Sequence, residues 1–154
     1  MNDETQASLS MERIYIKDLS YEAPNTPKMF LENKAPVINI QVDIQHEPVA
    51  DSEGYFEVIL AITVDAKNEK KDAVFLVELK HAGVFLLNGI PEKEITQVLE
   101  IACPNILLPF AREAINDFVA KGGFPQLLIN PINFEALYQQ RHAQTDKADK
   151  AVKH

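Results

Sequence analysis

Cys103 and the histidines are the residues whose types could support nucleophilic or metal chemistry, and their surroundings argue against both uses. A catalytic cysteine needs an exposed thiolate beside a basic group. Cys103 instead lies among Ile101, Ala102 and Pro104, which favours a small buried side chain. No second metal ligand lies at a spacing typical of zinc sites from any histidine, these being His46, His81, His142 and His154. We therefore predict no catalytic residue and no bound metal.

Glycine loops and paired carboxylates, the usual elements of phosphate binding and acid–base catalysis, are not indicated either. Neither a P-loop nor a dinucleotide-binding pattern is formed by the glycines, which are Gly54, Gly83, Gly89, Gly122 and Gly123. Close pairs of acids, such as Glu92 with Glu94 and Asp65 with Glu69, occur in hydrophilic stretches where solvated carboxylates are the rule. We expect no cofactor and no enzymatic activity.

The charge of the chain argues against nucleic acid as a partner. The 154 residues carry a formal net charge of −8, whereas binding to phosphates needs a concentration of Lys and Arg. Eleven acids and four bases fall within residues 1–60. We expect an acidic face, for which solubility is the simpler explanation and docking of a partner the alternative.

The sequence also indicates a cytoplasmic location. One cysteine can form no intramolecular disulfide, so an oxidising compartment is not implied. Residues 1–10 contain no base and no apolar run, unlike a secretory signal. The apolar stretches, such as 58–62, are far shorter than the ~20 residues of a membrane-spanning helix. We expect one soluble domain over residues 1–154 that does not insert into membranes, with disordered tails at 1–10 and about 143–154.

Apolar residues at every second position predict the strands that must carry any binding surface. In residues 37–45 the apolar side chains face one way and the polar ones the other, and residues 55–65 and 73–81 repeat this pattern. Residues 13–22 alternate less regularly, as an edge or interface strand does. Short polar turns between the later three strands favour antiparallel pairing.

The apolar spacing changes to that of helices after the fourth strand. A long helix begins near Pro91, is expected to kink at Pro104 and Pro109, and stops at a Gly-Gly pair. Residues 124–132 form a crossover loop to a last helix that frays near His142. Strands followed by helices predict an α+β fold, in which a four-stranded antiparallel sheet carries the helices on one face.

Hydrophobic residues on both faces of two strands suggest more apolar surface than two helices cover. Such a surplus favours oligomerisation over a groove for an apolar ligand. The residues on the second face are Ile59, Ala61, Val74 and Leu76.

Three motifs, in the same order and spacing, resemble the SecB family of protein-export chaperones. Residues 13–25 read RIYIKDLSYEAPN, residues 103–113 read CPNILLPFARE, and residues 123–127 and 131–137 read GFPQL and PINFEAL. The resemblance covers about residues 12–140. It implies the same α+β subunit, assembled as a dimer of dimers into a homotetramer, and no catalysis.

The resemblance further implies that the chain is an ATP-independent chaperone that binds unfolded precursor proteins and keeps them competent for translocation. The family holds precursors in long apolar grooves beneath the crossover loop and the last helix. The matching groove candidates are Phe124, Leu127, Ile129, Phe134, Leu137 and Tyr138.

The resemblance also implies a second partner, the export ATPase SecA, to which the chaperone delivers its precursors. In the family SecA docks on the sheet through a short, basic, zinc-bearing tail, so any zinc belongs to the partner. The positions of this chain that match the docking surface are Asp18, Glu22, Leu76 and Glu78.

The chain departs from the family pattern at a few positions. Leu108 and Phe110 stand where some relatives have Phe and Tyr, and the C-terminal tail is rich in lysine where relatives are often acidic. Two alternatives are a chaperone of the same fold that does not serve export, such as an antitoxin-linked one, and a small-ligand protein or enzyme with an apolar pocket. The retained acidic positions disfavour the first, and the lack of a convergent polar group disfavours the second.

Overall fold

The computed structural model describes the backbone of residues 6–152 and the side chains of residues 6–145. Within these residues four strands precede three α-helices, in agreement with the predicted α+β class. The elements are β1 (Ser8–Glu22), a 3₁₀ turn (Lys28–Leu31), β2 (Val37–Pro48), β3 (Tyr55–Lys67), β4 (Ala73–Asn88), α1 (Glu92–Gln97), a π-helical turn (Val98–Ala102), α2 (Cys103–Lys121) and α3 (Phe134–Val152).

The strands form one antiparallel sheet in the order β1-β4-β3-β2. Strands β1 and β2 are therefore the edges, which confirms the edge position predicted for residues 13–22. Because β4 continues to Asn88, strand β1 finds partners as far back as Ser8, which pairs with Asn88.

The inner face of the sheet, which packs against α2, contains the hydrophobic core. Alternate residues of the two central strands point to this face, and the following are buried: Val58, Leu60, Ile62, Val64, Phe75, Val77 and Leu79. They join Leu107, Ala111 and Ile115 of α2 in one cluster. The alternation in the sequence predicted this face correctly, because burial on one side of a strand repeats every second residue.

The opposite, outer face is less apolar than expected. Val74 has no partner on β3, because Phe75 pairs with Ala66 while Ala73 pairs with Lys67. This bulge turns Val74 into the core, so its predicted place on the outer face was wrong. Ile59 does lie on the outer face but is buried.

Helix α1 runs through the π-helical turn into α2, so the interruption expected near Pro104 is a change of helical winding. Pro104 is the second residue of α2, just after the π-helical turn, and Pro109 lies inside the helix. The N–H of Gly122 donates to the carbonyl of Phe118 at 2.8 Å, and Gly123 has φ of +88°, as a Gly-Gly stop requires.

Regular secondary structure extends into parts of both predicted tails. Strand β1 includes Ser8, and α3 continues to Val152, beyond both His142 and the expected tail boundary near 143. Three alanines and two lysines fall within residues 143–152, and both residue types favour helix. The remaining predicted tail residues, 1–5 and 153–154, lie outside the described part of the chain.

Candidate functional site

A cavity of about 510 Å³ opens at one end of the inner face. Its walls come from the segment between β1 and β2, from the start of β4 and from the crossover loop after α2. The large apolar residues of the lining are Met29, Phe30, Ile38, Val74, Phe75, Phe124 and Leu127. The size and lining suit several apolar side chains of a ligand.

Aromatic side chains from three parts of the chain form one side of this cavity. The ring of Phe124 lies 5.0 Å from that of Phe30 and 5.3 Å from that of Phe75, measured between centroids. Phe75 in turn stacks on Tyr21 at 6.4 Å. Phe30 is 48% exposed, so the row leads from the core to the surface.

Polar contacts hold the segment between β1 and β2 at the rim of the cavity. Asn68, in the β3–β4 turn, accepts hydrogen bonds from the backbone N–H groups of Lys70 and Asp72 and donates to Glu32 at 3.1 Å. Lys34, in the same segment between β1 and β2, forms an ion pair with Glu69 of the β3–β4 turn at 3.1 Å. This rim positions Met29 and Phe30 opposite the crossover loop.

The structure separates the six predicted groove residues. Phe124 and Leu127 line the cavity. Ile129 and Phe134 are core residues, 3% and 1% exposed, and offer no binding surface. Leu137 lies in a separate small cleft.

Tyr138, the sixth of these residues, packs against His142 on the same helix, with 4.1 Å between the ring centroids and the rings tilted by 44°. Sequence reasoning missed Met29, Phe30 and Ile38. For Met29 and Phe30 the sequence signal was an apolar pair that directly follows Thr-Pro-Lys in a proline-rich loop.

The four predicted docking residues lie together on the outer face. In the register of β1 with β4, Asp18 is opposite Lys80, Ser20 is opposite Glu78, and Glu22 is opposite Leu76. Directly opposed residues of an antiparallel pair share a face, and this face carries alternate residues of each strand. Asp18, Glu22 and Glu78 are exposed and Leu76 is partly exposed, which gives an acidic surface around one apolar side chain.

A second polar group occupies the middle of the outer face. Glu57 of β3 accepts a hydrogen bond from the Tyr15 hydroxyl and binds the Nζ atom of Lys17 at 2.7 Å. Burial opposes ionisation of Glu57, but the hydrogen bonds from Lys17 and Tyr15 and the charge of Lys17 lower its pKa below the usual value. Burial, together with the hydrogen bond and charge of Glu57, raises the pKa of Tyr15 to about 12.

An ion-pair cluster joins α3 to the sheet and the π-helical turn. The buried Glu100 lies 3.1 Å from Nη1 of Arg141, and its Oε2 lies 3.4 Å from Nε2 of His142 and 3.6 Å from Nε2 of His46. Arg141 also binds Asp43 at 2.7 Å. No set of three His, Cys, Asp or Glu in the described residues could hold a metal. The contacts of this cluster connect α3 with β2 and with the π-helical turn.

Cys103 is fully buried, as its neighbours in the sequence predicted. Burial raises the pKa of its thiol to about 12, which suppresses the thiolate needed for nucleophilic attack. Within the described chain, no helix has the length and apolar character that crossing a bilayer requires.

A family model and individual known proteins both match this chain over nearly its whole length, and they agree with each other. A model of the family described as "Preprotein translocase subunit SecB" matches residues 2–145. The chain is 47% identical over 149 residues to a protein-export protein SecB of Nitrosospira multiformis, covering 96% of this chain and 92% of that one. It is 45% identical over 152 residues to a protein of the same name from Azoarcus, covering 99% of each.

The fold is also similar to a solved structure. A SecB-like chaperone of Mycobacterium tuberculosis, solved with a ChAD peptide from an antitoxin, has a TM-score of 0.64 at 15% identity. The likeness covers 80% of this chain and 87% of that one.

Proposed function

The chain belongs to the SecB family of protein-export chaperones, and from this premise we propose that it binds unfolded precursor proteins at the apolar cavity and delivers them to SecA at the acidic outer face. The observation that carries the proposal is the cavity between Phe30, Phe75 and Phe124. Burial of apolar side chains yields about 25 cal/mol per Å² whatever their order in a sequence. Such a site accepts many unrelated unfolded chains without nucleotide, and we expect no catalysis.

Exposed apolar residues next to the cavity extend the surface available to a precursor. Leu31, Val37 and Leu128 adjoin lining residues in the sequence and are strongly exposed, Leu128 by 88%. An unfolded segment can place successive apolar groups on these positions. A folded protein cannot, because its apolar groups are already buried.

We propose that SecA docks on Asp18, Glu22, Leu76 and Glu78 through a basic surface. The three carboxylates supply electrostatic attraction that accelerates encounter and weakens with salt. Leu76, flanked by Glu22 on β1, supplies an apolar anchor.

A further apolar surface supports assembly into the homotetramer, which we place in the cytoplasm. Met11 and Ile16 on edge strand β1 and Ile106 and Phe110 on α2 are exposed. Ile16 lies opposite His81, whose ring is 6.5 Å from that of Phe110, so strand and helix contribute to one surface. Apolar exposure beside a free strand edge is typical of an interface between copies.

The first experiment measures complex formation with an unfolded, slow-folding precursor by light scattering coupled to size exclusion. We expect a tetramer that retains the unfolded chain and ignores its folded form. A monomer that ignores unfolded chains would contradict the proposal.

Two variants assign the partners to the two faces, and each serves as the control for the other. Phe30→Asp should weaken precursor binding about tenfold or more, since it places a charge where about 1.5–3 kcal/mol of apolar burial is expected, and should leave SecA binding unchanged. Glu78→Lys should weaken SecA binding and leave precursor binding and tetramer mass unchanged. Loss of all three properties in Glu78→Lys would show that this residue is structural.

A further inference from the structure

We propose that Glu57 is a positioning residue for the outer face: it captures the ammonium group of Lys17 and so keeps this cation from neutralising the carboxylates to which a basic partner binds. The inference rests on the proposed docking of SecA and concerns the same surface.

Lys17 lies where it could interfere with docking. The register of β1 shifts between Ile16, opposite His81, and Asp18, opposite Lys80. At this bulge both Lys17 and Asp18 point to the outer face, since Lys17 reaches Glu57 there. Asp18 therefore has one lysine beside it in the chain and another across from it on β4.

Glu57 is the better partner for Lys17 because of its burial and its second hydrogen bond. The side chain of Glu57 is 15% exposed and that of Lys17 is 44% exposed. The Tyr15 hydroxyl binds Oε2, which leaves Oε1 directed at the Lys17 ammonium, 2.7 Å away. A charge-assisted contact to a largely buried, already oriented carboxylate is stronger than the exposed pair that Asp18 could offer.

The sheet supplies a matched control for the charge alone. Glu47 lies directly opposite Glu57 on β2 and faces the same side, but it is exposed. None of the ion pairs of the described residues involves it. Glu47→Gln therefore changes the charge of the face by the same amount as Glu57→Gln without releasing Lys17.

The test is the dissociation constant of the SecA complex, measured by calorimetry at low salt with the assembled chaperone. Glu57→Gln should weaken binding about two- to fivefold, the effect expected for one exposed charge contact. Glu47→Gln should change it less than twofold. Adding Lys17→Gln to Glu57→Gln should restore affinity to within about twofold of the unchanged protein, with precursor binding constant throughout.

Several outcomes would overturn the role of Glu57. These are equal effects of Glu57→Gln and Glu47→Gln, failure of Lys17→Gln to restore binding, or weaker binding in Lys17→Gln alone, which would make Lys17 a contact to SecA. If Glu57→Gln does not fold, Tyr15→Phe removes only the orienting hydroxyl, and unchanged affinity in that variant would also refute the role. Unchanged affinity in Glu78→Lys would instead refute the docking proposal itself.

Discussion

Removal of the Arg141 side chain should release α3 from the sheet. Arg141 donates to Glu100 at 3.1 Å, to Asp43 at 2.7 Å and to the carbonyl of Ile44 at 2.9 Å. These bonds connect α3 with the π-helical turn and with edge strand β2. Arg141→Ala removes all three at once and leaves Glu100 with His46 and His142 as its remaining partners.

The expected cost follows from the exposure of each partner. The pair with Asp43 is exposed on both sides, so it contributes at most about 1 kcal/mol. Glu100 is 8% exposed, and loss of a hydrogen-bonding cation from a buried carboxylate costs about 1–3 kcal/mol. We therefore expect Arg141→Ala to lower the free energy of unfolding by about 2–3 kcal/mol, below the ~3–5 kcal/mol of a fully buried pair because Arg141 itself is 41% exposed.

Urea unfolding at fixed protein concentration measures this cost, and hydrogen exchange of the α3 amides localises it. Lys121→Ala is the matched control, since it removes an exposed pair with Asp117 that contributes about 0.5 kcal/mol or less. In a double-mutant cycle, Arg141→Ala and Glu100→Gln should be less than additive. If Arg141→Ala and Lys121→Ala lower the free energy of unfolding equally, and the hydrogen exchange of the α3 amides does not change, then Arg141 does not stabilise the buried Glu100 carboxylate.

Three further predictions concern His81, Gly122 and Cys103. Burial lowers the pKa of His81 below 6.5, although a backbone hydrogen bond at Ala82 acts in the opposite direction. As the pH falls, the histidine is therefore protonated in the unfolded state before it is protonated in the folded state. The free energy of unfolding should decrease as the pH drops below about 6.5. In His81→Gln, the free energy of unfolding, measured by urea titration, should depend less on pH between about pH 7 and 5. An unchanged pH dependence would contradict this prediction. Gly122→Ala should lower the free energy of unfolding by about 1–3 kcal/mol, because a Cβ there would lie 1.9 Å from the Tyr21 hydroxyl oxygen; a neutral effect in urea unfolding would show that Tyr21 moves freely. A thiol reagent at pH 8 should label Cys103 only as fast as the protein opens, since the buried thiol has a pKa of about 12; immediate labelling of the native protein would refute this.

Local periodicity made most of the fold predictable. The alternating residues of β3 and β4 defined the inner face before any contact was known, because a strand exposes each side to one environment. The burial of Cys103 followed from the apolar residues next to it. Strand length was less predictable, since β4 extends beyond residue 81 where β3 provides partners as far as Leu86 and β1 provides partners as far as Asn88.

Motif resemblance located the binding elements but could not sort their side chains. Phe124 and Phe134 both belong to apolar motifs, yet one lines the cavity and the other is buried in the core. The difference arises because Phe124 of the crossover loop meets the half-exposed Phe30, whereas Phe134 at the start of α3 packs into the core cluster. Burial of a loop residue depends on segments far away in the chain.

The sequence by itself determined the fold class, the inner faces of the strands and the family, because these depend on residue types that repeat locally or occur in order. Only the tertiary structure decided which charges meet. Lys17 and Glu57 are 40 residues apart, and Arg141 and Glu100 are 41 apart. A bulge in β1 and a turn of π-helix bring these groups together, and neither leaves a periodic signal. Electrostatic attraction acts over a few ångströms in space, so its partners are fixed by the register of the sheet and the docking of α3.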